Sequence, residues 1–224
     1  GAVVLVSGGM DSCVTAAIAR QKFTIAMLHF QYGQRTGSRE LRAFHDLADH
    51  YRAADRLVAG LEIFPLIGGS ALTDRTRPIP PGRLRRREIP DTYVPFRNAN
   101  LLSAAVSWAE RLGAERVFMG AVQEDSSGYP DCRREFFEAF NRVISLGTRP
   151  GTKIRIEVPL IAMSKAEIVR EGNRLDAPLH LTWSCYQRTD RACGKCDSCL
   201  LRLRAFREAG EIDPIQYLPE GQSR

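Results

Sequence analysis

The sequence has no long uninterrupted apolar segment, so it predicts no transmembrane helix. No Gly-Lys-Ser or Gly-Lys-Thr follows the glycine pair near its start, which excludes a Walker A loop there. A third glycine farther along is also missing, which excludes the dinucleotide-binding fingerprint. What is present is a chain of 224 residues, 44% of them hydrophobic, which suits one α/β domain with a sizeable core.

The glycine pair belongs to the most informative stretch of the chain, residues 7–12, with the sequence SGGMDS. It follows a short apolar run and precedes a predicted helix, so several backbone N–H groups should point at one spot. The helix dipole adds a partial positive charge there, and an anion, most naturally a phosphate, is the expected occupant. The alternative is a plain strand–turn–helix junction. The net charge of +6 also favours anionic ligands, both nucleotides and nucleic acids.

Strand and helix signals alternate along most of the chain. Strands are predicted at residues 2–6, 23–30, 56–59, 116–122 and 154–158, the first two of them buried, with helices between them. Ser164 followed by Glu167 is typical of a capping box that begins another helix. This order predicts an α/β fold with a doubly wound parallel sheet. We expect an α/β domain that carries the anion-binding loop over residues 1–179 and a small C-terminal segment over residues 180–224.

Residues 60–95 interrupt the pattern with proline, glycine and charge, including an arginine-rich run at residues 83–87. Connections this long inside a compact domain are usually functional or disordered. We interpret the segment as a mobile cover over the site or a flap that contacts a partner. The arginines could touch RNA phosphates, although a solvated loop of like charges is the commoner explanation.

Four of the six cysteines have the spacing of metal ligands: Cys185, Cys193, Cys196 and Cys199. Four thiolates complete a tetrahedral zinc site and leave no position open for substrate, so this metal should be structural. A redox dithiol and an iron–sulfur cluster are the alternatives. Such usage favours a reducing cytoplasm. Cys13 is most simply a core residue, and Cys132 could line the site without a recognisable base to activate it.

Three motifs together resemble the 7-cyano-7-deazaguanine synthase (QueC) family, within the PP-loop ATP pyrophosphatase superfamily. They are the loop at 7–12, the SGYPDCR stretch at 127–133, and WSCY at 183–186 with the cysteines behind it. The stretches 32–35, 94–98 and 159–167 fit the same pattern, so the likeness covers nearly the whole chain. One departure is Thr36, where the family usually has a histidine after its Gln-Arg pair.

The resemblance implies an adenine nucleotide α-hydrolase-like fold and a cytoplasmic, homodimeric enzyme of queuosine biosynthesis with one structural zinc. The reaction implied is that of an AMP-forming carbon–nitrogen ligase. It converts 7-carboxy-7-deazaguanine, ammonia and ATP into the nitrile, through adenylated acid and amide intermediates, with release of AMP and pyrophosphate. Nucleic acid is an unlikely partner on this reading, and no membrane partner is expected.

The hypothesised site residues fall into an ATP set and a substrate set. The expected ATP-binding residues are Val6, Ser7, Gly8, Gly9, Met10, Asp11, Ser12, Cys13, Val14, Thr15 and Ala16. The hypothesised catalytic residues are Asp11 and Asp125 near a magnesium ion, Ser12 as a donor, and Lys165 or Arg35 as a cation for the pyrophosphate. The deazaguanine acid is assigned to Arg97, Asn98, Tyr129, Asp131 and Arg133, because arginine clamps carboxylates and aspartate accepts from a guanine-like N–H edge.

Other interpretations stay open at this point. A structural salt bridge or cap is about as plausible for each polar residue, and Asp131 could simply be the N-cap of the helix that follows it. A PP-loop enzyme that thiolates tRNA would use a similar ATP loop and cysteines. A nucleotide-binding module without catalysis is a rival from another class. A paralogue that acts on a related deazapurine, or stops at the amide, is also compatible with the sequence.

Overall fold

A five-stranded parallel sheet organises the protein in a computed structural model, which describes residues 1–82, 89–122 and 129–219. Its strands are β1 (Ala2–Leu5), β2 (Ile25–Gln31), β3 (Asp55–Gly60), β4 (Arg116–Phe118) and β5 (Arg155–Glu157). The spatial order is β3-β2-β1-β4-β5, and every neighbouring pair is parallel. The doubly wound parallel sheet predicted from the sequence is therefore confirmed.

Helices cover both faces of this sheet. They are α1 (Met10–Arg20), α2 (Gly37–His50), α3 (Ile63–Ile67), α4 (Arg97–Leu112), α5 (Arg134–Gly147), α6 (Lys165–Arg174) and α7 (Asp197–Ala209). Short 3₁₀ turns lie at Pro130–Cys132 and Leu179–Leu181. In the described part of the chain, no helix is long and apolar enough to cross a membrane.

Successive side chains of the central strands point to opposite faces of the sheet, and this divides the core into two layers. On β1, Val4 packs with α1, α2 and α6, whereas Val3 packs with α4 and α5 on the opposite face. On β2, Met27 and Leu28 divide in the same way. Strands buried on both faces need apolar residues at every position, which explains why they read as continuous apolar runs.

The strand order places a topological switch point between β1 and β4. The chain leaves β1 towards β2 on one side and later returns to pair β4 on the other, so a crevice opens at the C-terminal ends of these two strands. Strand β4 is shorter than the predicted strand over residues 116–122. It ends at Phe118, because residues 119–122 leave the sheet to line the crevice.

The described parts of residues 60–95 form a wall of this crevice rather than a loose cover. Arg35 holds the segment by donating hydrogen bonds to the carbonyls of Ala71 and Asp74, both at 2.9 Å, and to that of Arg77. Leu72 and Pro90 line the crevice. The arginine-rich run at residues 83–87 lies outside the described residues.

The chain after α7 is fixed by a buried ion pair. Arg202 is 2% exposed and donates hydrogen bonds to the hydroxyls of Thr182 and Ser184 and to the Asp213 carboxylate. A buried pair with this many hydrogen bonds is costly to break from one side, because the remaining charge would lack a partner. The ion pair therefore ties the last described residues to the segment that carries the cysteines.

Candidate active site and cysteine cluster

A cavity of about 340 Å³ fills the crevice at the ends of β1 and β4, within the size range of ligand pockets. Many of the predicted site residues meet there. Those that line it are Val6, Ser7, Gly9, Met10, Asp11, Ser12, Arg97, Asn98, Tyr129 and Lys165. These residues therefore border one cavity, although they come from α1, α4, α6 and the loops beside them.

The loop at residues 7–12 has the geometry of an anion site. Gly8 has φ +88°, and a Cβ there would lie 2.7 Å from the carbonyl oxygen of Glu40, so only glycine fits. Gly9 is the N-cap of α1, and among the described residues no side chain caps this helix. The hydroxyl of Ser12 donates to the Gly9 carbonyl at 2.9 Å. The N–H groups of the first turn of α1 are therefore left for a ligand.

An ion pair lies beside this loop. Lys165 Nζ contacts Asp11 Oδ2 at 2.7 Å, and both side chains are largely buried. Lys165 is set in place by the predicted capping box, in which the Ser164 hydroxyl accepts from Glu167 N at 3.3 Å and Ser164 N donates to Glu167 Oε2 at 2.7 Å. The other carboxylate oxygen of Asp11 is buried without a hydrogen-bond partner in the described structure. It is available to accept a further ligand.

At the other end of the cavity, Arg97 carries a positive charge that no described carboxylate pairs with. Its guanidinium lies 5.5 Å from the centre of the Tyr32 ring and donates to the Tyr32 hydroxyl at 3.1 Å. Its Nε is buried without a partner among the described residues. Burial raises the pKa of Tyr32, Tyr129 and Tyr186, so these phenols stay neutral. An anionic ligand is therefore favoured here.

Asn98 is held so that its amide oxygen remains free. Its Nδ2 donates to the Asp131 carbonyl at 2.9 Å and to Cys132 Sγ at 3.3 Å, and its backbone N–H donates to Asp131 Oδ2 at 2.9 Å. Asn98 Oδ1 is buried and has no partner in the described chain. This oxygen is therefore an acceptor available to an N–H group of a ligand.

Asp131 does not line the cavity, although the sequence assigned it to the substrate. It is 3% exposed and uses its carboxylate on the first turn of α4. The alternative that it caps the following helix is wrong, because Arg133 is the N-cap of α5. Asp131 thus positions Asn98, and this contact between residues 33 positions apart has no signature in the local sequence.

Several other predicted residues do not line the cavity in the described part of the chain. Arg35 is occupied by the backbone carbonyls of residues 71–77, so Lys165 remains as the cation beside the phosphate loop. Arg133 is exposed and does not line the cavity. Asp125 lies outside the described residues. Cys13, Val14, Thr15 and Ala16 are buried in α1 behind the loop.

Cys132 lines the cavity, as one of the sequence alternatives allowed. Burial, followed by the nearby Asp131 charge, raises the pKa of its thiol to about 11. A thiol at neutral pH is a poor nucleophile. The geometry therefore favours a packing role in which its sulfur accepts a hydrogen bond from Asn98.

Sequence reasoning missed Glu40, which also lines the cavity. In the sequence, this position is recognisable only as part of a helix between two of the predicted strands. Glu40 accepts hydrogen bonds from the hydroxyl of Thr36 at 2.7 Å and from Gln34 Nε2 at 3.2 Å, and burial raises its pKa. An acid in the first turn of a helix that follows a polar strand end is the only signal that could have identified it.

The four predicted cysteines form one buried cluster, with all their sulfur atoms within 4.8 Å of one another. A tetrahedron of thiolates around zinc, with Zn–S distances of about 2.3 Å, has sulfurs about 3.8 Å apart. Cys193 Sγ and Cys199 Sγ are 3.8 Å apart, far beyond the length of a disulfide. Backbone N–H groups also point at the sulfurs of Cys185 and Cys193. The cluster could therefore bind a metal ion.

The segment that carries the cysteines also contacts both the phosphate loop and the cavity wall. Trp183 N donates to the Gly8 carbonyl at 2.8 Å, and Gly82 N donates to the Lys195 carbonyl at 2.9 Å. Trp183 itself lines the cavity. The fold of the cysteine segment therefore influences the shape of the site, although its sulfurs lie in a separate buried cluster.

Comparison with known proteins agrees with this arrangement. The family model described as queuosine biosynthesis protein QueC matches residues 1–210. A 7-cyano-7-deazaguanine synthase of Chlorobium phaeobacteroides is 59% identical over 96% of each chain. Those of Chlorobaculum tepidum and Chlorobium luteolum are 57% and 58% identical over the same shares. The chain belongs to the QueC family of queuosine biosynthesis proteins.

Proposed function

We propose that this protein is a 7-cyano-7-deazaguanine synthase, which makes the nitrile from 7-carboxy-7-deazaguanine, ammonia and ATP and releases AMP and pyrophosphate. The observation that carries the proposal is a cavity with a phosphate loop at one end and, at the other, the Arg97 cation, with which no described carboxylate pairs. An enzyme that joins ATP to an anionic acid needs both at once. The relatives in the same family carry the name of this activity.

The chemistry explains why the two ends must be close together. A carboxylate is a poor electrophile, so its oxygen first attacks the α-phosphate of ATP and forms an acyl-adenylate. Ammonia then displaces AMP and leaves an amide. A second adenylation, on the amide oxygen, allows AMP to leave as the carbon–nitrogen triple bond forms. Catalysis of this kind depends on positioning and on stabilisation of charge.

At the ATP end, the free N–H groups at the start of α1 would hold the departing pyrophosphate, with the hydroxyls of Ser7 and Ser12 beside them. Lys165 supplies the cation, and its ion pair with Asp11 keeps the ammonium group at the loop. Residues 6–16 are the proposed ATP-binding segment. Cys13, Val14, Thr15 and Ala16, at the C-terminal end of this segment, are buried in α1 and would support the loop from within the core.

At the acid end, Arg97 would bind the carboxylate, because its guanidinium is partly buried and its Nε lacks a partner in the described structure. Asn98 Oδ1 would accept from an N–H group of the deazaguanine ring. Tyr129 contributes a neutral ring and a hydroxyl that lies 3.0 Å from Thr92 Oγ1. Asp131 acts through Asn98, whose orientation it fixes.

The side chains of the cavity and of the cysteine cluster could each hold a metal ion. Asp11 Oδ1 is a buried carboxylate oxygen without a partner in the described structure, which suits magnesium brought in with ATP. Magnesium at that place would neutralise charge on the phosphates. The four clustered cysteines would hold a zinc ion with no open position, so the zinc would be structural.

The proposed enzyme would be a cytoplasmic homodimer. Thiolates that hold a metal require a reducing compartment, which supports the location. Three residues of α3 are apolar and more than half exposed: Ile63 at 51%, Leu66 at 85% and Ile67 at 61%. Helix α3 follows the edge strand β3 in the chain, and such an exposed apolar surface is suited to contact with a second copy.

A product assay tests the proposed reaction. Purified protein is mixed with ATP, magnesium, ammonium and 7-carboxy-7-deazaguanine, and the products are identified by mass spectrometry. We expect the nitrile together with AMP and no ADP. Amide as the final product would indicate a paralogue that stops half-way. Absence of AMP with every acid offered would contradict the proposal.

Replacing Arg97 by methionine should remove the carboxylate clamp while keeping an unbranched side chain of similar length. We expect kcat/KM for the acid to fall by at least about 100-fold, because a charge-assisted bidentate contact would be lost. Arg111→Met, on the exposed side of the same helix α4, is the matched control and should stay near the parent value. Equal activity in the two variants would remove Arg97 from the site.

The zinc assignment predicts about one zinc ion per chain in the purified protein, measured by elemental mass spectrometry. Cys196→Ser should lose the ion and lower the melting temperature by roughly 5 °C or more, because metal binding contributes directly to folding. Cys132→Ala, outside the cluster, should keep the zinc. Iron with acid-labile sulfide, or a Cys196→Ser variant that keeps its zinc, would show the assignment to be wrong.

A further inference from the structure

Three carboxylates line the cavity in the described part of the chain: those of Asp11, Glu40 and Asp197. Asp11 is paired with Lys165. Asp197 is the first residue of α7 and directly follows Cys196, so it belongs to the segment that carries the cysteine cluster. Glu40 differs from both, because it lies on α2 and is not part of the ATP loop, the acid clamp or the metal cluster.

The Glu40 carboxylate is held by neutral donors only. Thr36 Oγ1 donates to Oε1 at 2.7 Å, and Gln34 Nε2 donates to Oε2 at 3.2 Å. Among the described residues, no lysine, arginine or histidine forms an ion pair with it. Each oxygen therefore keeps a lone pair, and no paired cation prevents the carboxylate from accepting a proton.

Glu40 is also fixed next to the phosphate loop. Its carbonyl oxygen would lie 2.7 Å from a Cβ on Gly8, so the first turn of α2 packs directly on the loop backbone. The hydrogen bonds from Thr36 and Gln34 fix the side chain as well. Glu40 lines the same cavity as the ATP loop and Arg97, in which the activated acid would react.

We propose that Glu40 is the general base of the reaction, which removes protons from the incoming nitrogen. This inference rests on the proposed synthase function. In amide formation, the ammonia nitrogen bonds to the carbonyl carbon, the bond from that carbon to the AMP oxygen breaks, and one proton passes to Glu40. AMP leaves with the oxygen and its electron pair.

Nitrile formation needs a base at the same place. After adenylation of the amide oxygen, the nitrogen gives up two protons in succession. The electron pair freed with the second proton completes the triple bond, and AMP leaves with the oxygen. Glu40 accepts a proton at each stage and returns it to water between stages, so the same carboxylate serves all the transfers.

The surroundings of Glu40 determine how its action depends on pH. Burial raises its pKa, whereas the hydrogen bonds from Thr36 and Gln34 and the charge of Arg97 lower it. The net result is a pKa above the ordinary value of glutamate. The Tyr32 phenol faces the same space and stays neutral. Because the base works only when deprotonated, activity should rise with pH through the pKa of Glu40.

The test compares two half-reactions in the parent enzyme and in Glu40→Gln. Acid-dependent exchange of labelled pyrophosphate into ATP, measured without ammonia, reports the first adenylation alone. Formation of amide and nitrile reports the steps that need the base. We expect the variant to keep exchange within about threefold and to lose at least about 100-fold in amide and nitrile formation.

Two results would overturn the inference. Equal losses in exchange and in product formation would show that Glu40 only supports the phosphate loop. Unchanged product formation would show that the base lies elsewhere. A parent enzyme that makes neither amide nor nitrile would contradict the synthase function itself, and the role of Glu40 would fall with it.

Thr36→Val provides an independent measurement, because it keeps the carboxylate and removes one donor to its charged form. The pKa of Glu40 should then rise. In the pH profile of kcat/KM for the acid, the fall at low pH (the acid limb) should therefore move to higher pH by roughly one unit. Ser103→Ala, a hydroxyl deletion on α4 outside the cavity lining, is the matched control and should leave the profile in place. An acid limb that does not move in Thr36→Val would contradict the assignment.

Discussion

The site depends on the close packing of α2 against the phosphate loop. Gly8 adopts a left-handed backbone and leaves no room for a Cβ beside the Glu40 carbonyl and the Ala43 side chain. This contact fixes the loop at the start of α1, and Trp183 holds it from the other side through the Gly8 carbonyl. The N–H groups of α1 are therefore preorganised at the switch point of the sheet, where an anion gains most from them.

Charge is distributed so that each end of the cavity favours a different part of the reaction. The ion pair with Asp11 keeps the Lys165 cation at the loop, whereas Arg97 lies beside the neutral phenols of Tyr32 and Tyr129 and keeps its charge for an anion. The clustered cysteines are drawn together in a buried site of their own. Cys132 lies outside that cluster and lines the cavity, but burial raises the pKa of its thiol to about 11. Both features argue against a tRNA-thiolating enzyme.

The sequence could predict those parts of the site whose chemistry comes from residues that lie close together in the chain. The loop at residues 7–12, the cysteine spacing and the capping box at Ser164 are of this kind, and so is the parallel sheet. Arg35 could not be placed, because its partners are backbone carbonyls of a segment without periodicity. Glu40 was missed because only the docking of α2 on Gly8 turns it towards the cavity.

The most direct test of the account follows the oxygen atoms of the acid. In the proposed reaction, each carboxylate oxygen is transferred to an α-phosphate before nitrogen replaces it. Acid labelled with ¹⁸O at both carboxylate positions should therefore give the nitrile and two molecules of AMP, each with one ¹⁸O atom. Unlabelled AMP, or label in pyrophosphate, would contradict activation by adenylation at this site.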